Sequence, residues 1–216
     1  MGIKAVIWDF GGVITSSPFD AFNRYEADHG LPHNFIRGVN ARKPDSNAWA
    51  MLERDEIDAA GFDVMFAAEA TVLGQDVRGA AVLALLSGDV RPAMVAALDA
   101  CRATGYRLGC ITNNAKVGQG AGMTSDPAKT AAVAAILARF DHVIESSKVG
   151  IRKPDPRIYL RMCETLAVAP GDCVYLDDLG VNCKPAAMLG MSAIKVFGEA
   201  QALAELGSIL GMAFRV

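Results

Sequence analysis

Five short β-rich runs, separated by stretches of helical periodicity, constrain this chain more than any other feature. The runs are Ala5–Trp8, Arg107–Ile111, His142–Glu145, Cys173–Leu176 and Ala193–Val196. Strands that are apolar throughout, rather than alternately, are buried on both faces. They predict a parallel sheet with helices packed on each side. The intervening stretches supply those helices. Pro92 suits a first turn, Met94, Leu98 and Cys101 share one face, and Gly105 is the stop. Asp126-Pro127 places a cap and a first-turn proline before Val133, Ile136, Leu137 and Phe140. Tyr159, Met162, Cys163 and Leu166 form a third stripe, and Leu203, Leu206 and Leu210 a fourth.

Residues 17 to 86 break this rhythm. Ser46 reads as a cap ahead of Trp49, Leu52 and Glu53, and Asp58 caps a stretch with Phe62, Phe66 and Ala70. The segment carries helical patterns only. The expected architecture is therefore α/β: a Rossmann-like parallel-sheet core from residues 1–16 and 87–216, with a small all-helical cap, 17–86, inserted after the first strand.

Composition excludes several partner classes. Across 216 residues, 21 Lys and Arg against 24 Asp and Glu leave a formal charge of −3. That balance carries no electrostatic footprint for nucleic acid or an anionic membrane. The longest unbroken apolar run, Ala131 to Ala138, falls far short of the roughly 20 residues a spanning helix needs. The first ten residues lack the shape of a secretory signal. Five cysteines without a C-x-x-C pair read as buried thiols in a reducing cytoplasm. Oligomeric state is not legible.

In an open parallel sheet, ligands bind outside the carboxyl ends of the strands. Here the first strand runs into Asp9-Phe10-Gly11-Gly12, the second into Thr112-Asn113-Asn114, and the fourth into Asp177-Asp178. Just upstream of the fourth lie Lys148 and Lys153. Carboxylates crowded at neighbouring strand ends raise one another's pKa unless a cation neutralises them. A hard divalent cation, Mg²⁺, suits a site of few carboxylates and several waters. In the competing reading Asp178 caps the next helix and Asp177 faces solvent.

Together these segments resemble the motifs of the haloacid dehalogenase superfamily. Asp-Phe-Gly-Gly-Val-Ile-Thr after an apolar strand is similar to its first motif, Thr112-Asn113 to its second and Lys153-Pro154 to its third. Asp177-Asp178, with Asn182 four residues on, is similar to its fourth. Trp49-Ala50-Met51-Leu52-Glu53-Arg54-Asp55-Glu56-Ile57 resembles cap helices in the branch related to the epoxide hydrolase N-terminal phosphatase domain. The resemblance implies a Mg²⁺-dependent phosphatase of a small phosphorylated metabolite. Asp9 would be the nucleophile and form an aspartyl-phosphate, which water hydrolyses. Thr112 and the Asn113 backbone would hold phosphate oxygens. Lys153, preferred over Lys148 for its Lys-Pro context, would neutralise Asp9 and the phosphoryl group. Asp9, Asp178 and the Gly11 carbonyl would bind Mg²⁺, with Asp177 acting through water.

The chain departs from the family pattern at Gly11. Most phosphatases of the superfamily carry there a second Asp that protonates the leaving group. Two further readings follow: a catalytically silent relative that binds a phosphorylated ligand, and a metal-independent 2-haloacid dehalogenase, which leaves Asp177-Asp178 without a purpose. Other motifs read as structural. Gly118-Gln119-Gly120-Ala121-Gly122 reads as a surface loop rather than a phosphate loop. His29 and His33 flank Gly30 and Pro32, which favours a solvated loop over a metal pair. Trp49 and Phe62 read as core of the insertion, and Arg42-Lys43 as a solvated pair.

Overall fold

The computed structural model describes residues 2–115, 123 and 126–214. The Gly118–Gly122 run lies outside them. All five β-rich runs form strands of a single sheet: β1 (Ala5–Trp8), β2 (Arg107–Thr112), β3 (His142–Glu145), β4 (Cys173–Asp177) and β5 (Ser192–Lys195). The order is β3-β2-β1-β4-β5, with every pairing parallel. β2 and β4 each extend one residue beyond the expected end, so Thr112 and Asp177 belong to the strands. β5 begins and ends one residue early.

Successive residues of β1 point to opposite faces, as the pleat requires. Val6 and Trp8 pack with Met94, Leu98 and Leu206 on one side. Ala5 and Ile7 pack with Tyr159, Met162 and Leu166 on the other. The helices that supply these contacts are α6 (Pro92–Thr104), α7 (Pro127–Leu137), α9 (Pro156–Leu166), α10 (Gly180–Met188) and α11 (Glu199–Leu210), with the short α8 at Ser146–Val149. Gly105 ends α6 in the left-handed region, and Asp126 caps α7 by accepting from Ala128 N–H.

Between β1 and α6 the chain is helical: α1 (Pro18–Asp28), α2 (Phe35–Ala41), α3 (Ala48–Glu53), α4 (Ala59–Val72) and α5 (Gly79–Leu83). These helices enclose an apolar cluster of their own, built on Phe22, Ile36, Phe62 and Phe66. Trp49 and Phe62 meet edge to face at 5.7 Å, so both are core residues, as expected. Asp58 caps α4, but the cap of α3 is Asn47, not Ser46. Asn47 accepts from Ala50 N–H at 2.8 Å while its amide donates to the carbonyls of Asn40 and Arg42. The two chain crossings between sheet and helices lie side by side: Thr15 and Val90 form an antiparallel bridge, and Ser16 N–H donates to Asp89 O.

All five cysteines are buried free thiols. No described helix is long and apolar enough to cross a membrane.

Candidate active site

β1 is the point where the sheet order reverses. The chain crosses from it to β2 on one side, and β4 pairs with it on the other. In the register, Trp8 pairs with both Cys110 and Leu176. Asp9 therefore emerges between the ends of β2 and β4, and its N–H donates to Leu176 O at 2.8 Å. This is the crevice in which open α/β sheets bind ligands. A wide turn, Phe10–Ile14, follows at once, closed by Thr15 N–H on Phe10 O at 3.0 Å. Within it Asp9 Oδ1 accepts from Phe10 N–H at 2.6 Å, and Arg91 donates to Gly12 O at 2.8 Å. Gly12 has φ +77°, a left-handed conformation that glycine adopts without steric cost. A Cβ there would overlap the Asp178 carboxylate, so this glycine lets Asp178 approach the turn. Gly11 has ordinary dihedrals, φ −68° and ψ 132°, and open space where its Cβ would be.

Lys153 occupies the centre. Its Nζ lies 2.7 Å from Asp9 Oδ1 and 2.8 Å from Asp177 Oδ2, and the residue is 1% exposed. The Asn113 side chain grips its backbone from both sides. Lys153 N–H donates to Asn113 Oδ1 at 2.8 Å, and Asn113 Nδ2 donates to Lys153 O at 3.0 Å. Lys148 points away, exposed and paired with Glu145 at 2.5 Å. Asp177 does not face solvent; it is 0% exposed and saturated with donors. Besides Lys153 it accepts from Tyr175 Oη at 2.5 Å, Leu179 N–H at 2.8 Å and Asn182 Nδ2 at 3.1 Å. Asp178 is half-buried and accepts from Ser17 Oγ at 3.0 Å. It does not cap α10, whose first turn has no side-chain cap.

Oxygens of Asp9, Asp177 and Asp178 lie within 4.8 Å of one another. One lysine faces three carboxylates, and two of them, Asp9 and Asp178, sit above their ordinary pKa values. Burial, aided by Asp177 and Asp178, pushes the Asp9 carboxyl well above its ordinary value, against the pull of Lys153. Burial and then Asp177 raise Asp178 to about 6, against its bond from Ser17. Burial alone would lower Lys153, but Asp177 and Asp9 reverse that and hold it protonated. This donor set fits a hard divalent cation: buried carboxylate oxygens, crowded, short of positive charge, with one oxygen of Asp178 and one of Asp9 not engaged by Ser17 or Lys153.

A cavity of about 630 Å³ opens on the site. Asp9, Gly11, Thr112, Asn113, Lys153 and Asp178 line its floor, and Phe19, Phe22 and Trp49 contribute to its wall from the helices. Thr112, at the end of β2, is buried beside it. His29 and His33 lie apart from the site. His29 Nδ1 contacts Tyr25 O at 2.9 Å and its ring stacks on Tyr25, while both residues are exposed. Arg42 and Lys43 are exposed.

Ser17, Arg91, Tyr175 and the side-chain role of Asn113 were not identified from sequence. Ser17-Pro18 carries a local signal, a cap before a first-turn proline; Ser17 indeed accepts from Phe19 N–H while donating to Asp178. Arg91 and the Asn113 side chain act across the fold and leave no local trace, whereas Tyr175 stands two residues before Asp177 on β4, on the same side of the strand.

The model of the haloacid dehalogenase-like hydrolases matches residues 3–190, and the chain belongs to that family. It is 32% identical over 213 residues to mouse acyl-CoA dehydrogenase family member 10, covering 96% of this chain and 19% of that protein. Over 75 residues it is 47% identical to mouse bifunctional epoxide hydrolase 2, covering 35% of this chain and 14% of that one. Phosphatase MT3486 of Mycobacterium tuberculosis is 31% identical over 121 residues, 53% of this chain and 52% of its own. The chain thus spans under a fifth of the length of the first two relatives. A solved family enzyme from Bacteroides thetaiotaomicron, in complex with magnesium and inorganic phosphate, shares the fold. Its TM-score is 0.56 at 18% identity, over 89% of this chain and 93% of that one.

Removing the lysine tests the electrostatic account. Lys153→Met leaves Asp9 and Asp177 buried without their cation, and breaking a buried pair costs about 3–5 kcal/mol. The Asp9 carboxyl, already pushed up by burial, loses the lysine that pulls it down and favours the protonated form still more in the folded state. The resulting penalty grows as pH rises above the unfolded carboxyl range and shrinks as pH falls towards it. Urea unfolding in EDTA should show a large loss at pH 7.5 and a clearly smaller loss at pH 5. An equal loss at both would contradict the charge imbalance.

Proposed function

We propose that this chain is a Mg²⁺-dependent phosphatase of a small phosphorylated metabolite, working through an aspartyl-phosphate on Asp9. The observation that carries this reading is the buried Asp9–Lys153–Asp177 array, with Asp178 beside it, at the switch point of the sheet. Residues 1–16 and 87–216 act as the catalytic core. Residues 17–86 act as a cap that encloses the leaving group.

Asp9 presents a carboxylate oxygen to phosphorus. An O–P bond forms in line with the ester bond that breaks, and the leaving oxygen departs with the electron pair. Thr112 and the Asn113 backbone hold the non-bridging oxygens. Lys153 donates a charged hydrogen bond to Asp9, fixes its orientation and offsets the repulsion between two anions. Water then attacks phosphorus, restoring the Asp9 carboxylate and releasing phosphate. Asp9, Asp178 and the Gly11 carbonyl would hold Mg²⁺, with Asp177 acting through water because protein donors already occupy its oxygens. Bound there, the ion shields the phosphoryl charge. The carboxylate cluster argues against the metal-independent dehalogenase reading. Gly11, which offers no acid, is the observation that favours a silent phosphate-binding relative.

Phosphate release from p-nitrophenyl phosphate decides between the first and last readings. It should require Mg²⁺, cease in EDTA and vanish in Asp9→Asn. Equal turnover by Asp9→Asn would remove the nucleophile assignment. No release from any ester by the parent would favour the silent relative.

Gly11 yields a second test. Without an acid at this position the leaving group departs nearly unassisted. Aryl phosphates should therefore outrun alkyl phosphates. Gly11→Asp fits the backbone, since the dihedrals are ordinary and the Cβ meets open space. A positioned acid contributes about 10²–10⁴-fold, most for basic leaving groups. Gly11→Asp should accelerate alkyl phosphates by tenfold or more, roughly the low end of that range or below it, and aryl phosphates far less. An unchanged ratio of the two would show that another group already supplies the proton.

A further inference from the structure

We propose that Glu53 is a positioning residue: carried on α3, it clasps Asn113 and Arg152 across the cleft and so holds Lys153 on Asp9. The carboxylate is buried although it sits in the helical insertion, and burial of a charge is costly unless it is paired. One partner is on its own helix, Trp49 Nε1, which donates to Oε1 at 2.9 Å. The others belong to the sheet side. Asn113 Nδ2 reaches Oε2 at 3.4 Å, and Arg152 Nε lies 2.6 Å from the same oxygen as a charge contact outside hydrogen-bond alignment. Arg152 then donates through Nη1 to Pro44 O at 2.9 Å, a second link to the helical insertion.

What makes this more than a surface bridge is the next contact. The amide of Asn113 that Glu53 restrains also brackets Lys153, accepting from its N–H and donating to its carbonyl. Arg152 is its covalent neighbour. Both sheet-side partners of Glu53 therefore fix the backbone from which the Lys153 ammonium reaches Asp9 and Asp177. Seating of the helices over the cavity and placement of the lysine become one event. The substrate-enclosing part of the chain thus reports to the catalytic charge through the Glu53 carboxylate.

The kinetic consequence rests on the phosphatase reading; the structural one does not. Three full-length variants separate them. Glu53→Ala removes the clasp. Glu53→Gln keeps an acceptor for Trp49 and Asn113 but loses the charge facing Arg152. Glu56→Ala, which breaks only an exposed pair with Arg54, is the control. Misplacing a catalytic group by 1 Å can cost about 10²-fold. With p-nitrophenyl phosphate and Mg²⁺, Glu53→Ala should lower kcat about tenfold or more with KM within about threefold, and Glu53→Gln should recover most of the rate. Glu56→Ala should match the parent. Amide exchange should rise in Glu53→Ala in both α3 and residues 150–155, on opposite sides of the cleft. Unchanged kcat in Glu53→Ala, Glu53→Gln as slow as Glu53→Ala, or unchanged exchange at 150–155 would each overturn the clasp. If the parent releases no phosphate, the phosphatase reading fails, and exchange at 150–155 alone decides the clasp.

Discussion

The Lys153 ammonium, buried between Asp9 and Asp177, is the interaction on which the rest of the structure depends. Three carboxylates at adjoining strand ends repel one another and are expensive to bury. A single internal cation lets two of them occupy the sheet end in one fixed geometry. The surroundings serve that placement. Asn113 holds the lysine backbone, Tyr175 and Asn182 hold Asp177, and the turn after β1 holds Asp9 through Phe10 N–H. Burial, and after it the Asp177 charge, leave Asp178 with a raised pKa, and the uncompensated negative charge gives a divalent cation a reason to bind.

This arrangement follows from the topology. Strand β1 must have a neighbour on each side, reached by crossovers in opposite directions, for Asp9 to stand between Thr112 and Asp177. Parallel pairing puts all three carboxyl-terminal ends on one edge. The Gly11-Gly12 pair then divides two tasks. Gly12 is required by its left-handed backbone and by the closeness of Asp178, whereas Gly11 is under neither constraint. The backbone at Gly11 therefore leaves room for a side chain, and that at Gly12 does not. Membership of the haloacid dehalogenase-like hydrolases and a carboxylate cluster that could hold a metal ion fall on the same strand ends.

Much of this was legible in the residues because the relevant signals are local. Short β-rich runs alternating with helical stripes mark a parallel sheet, so β1 to β5 agree with the sequence reading within one residue at each end, whereas the longer apolar run Ala131–Ala138 falls at helix α7. Asp9, Thr112 and Asp177 are tied to strand ends, and their convergence follows once the sheet is parallel. Lys153 was separable from Lys148 by its Lys-Pro context, and the two indeed differ completely in burial. The losses came where position depends on tertiary contacts. Asn47 rather than Ser46 caps α3 because its amide also finds the carbonyls of Asn40 and Arg42. Asn113 is a brace because its side chain faces a segment 40 residues away. Ser17 reaches Asp178 across 161 residues of chain, which no local pattern encodes.

The central claim is that Asp9, oriented by Lys153, carries the phosphoryl group. Its most direct test is chemical trapping during turnover. An aryl phosphate and Mg²⁺ are mixed with the enzyme, quenched in acid within the first turnovers, and treated with borohydride, which reduces an aspartyl-phosphate to homoserine. Mass spectrometry of the peptide spanning Asp9 should then show homoserine at that position, in proportion to the steady-state intermediate. Sustained phosphate release with an unmodified Asp9, or with the modification on another carboxylate, would contradict the account.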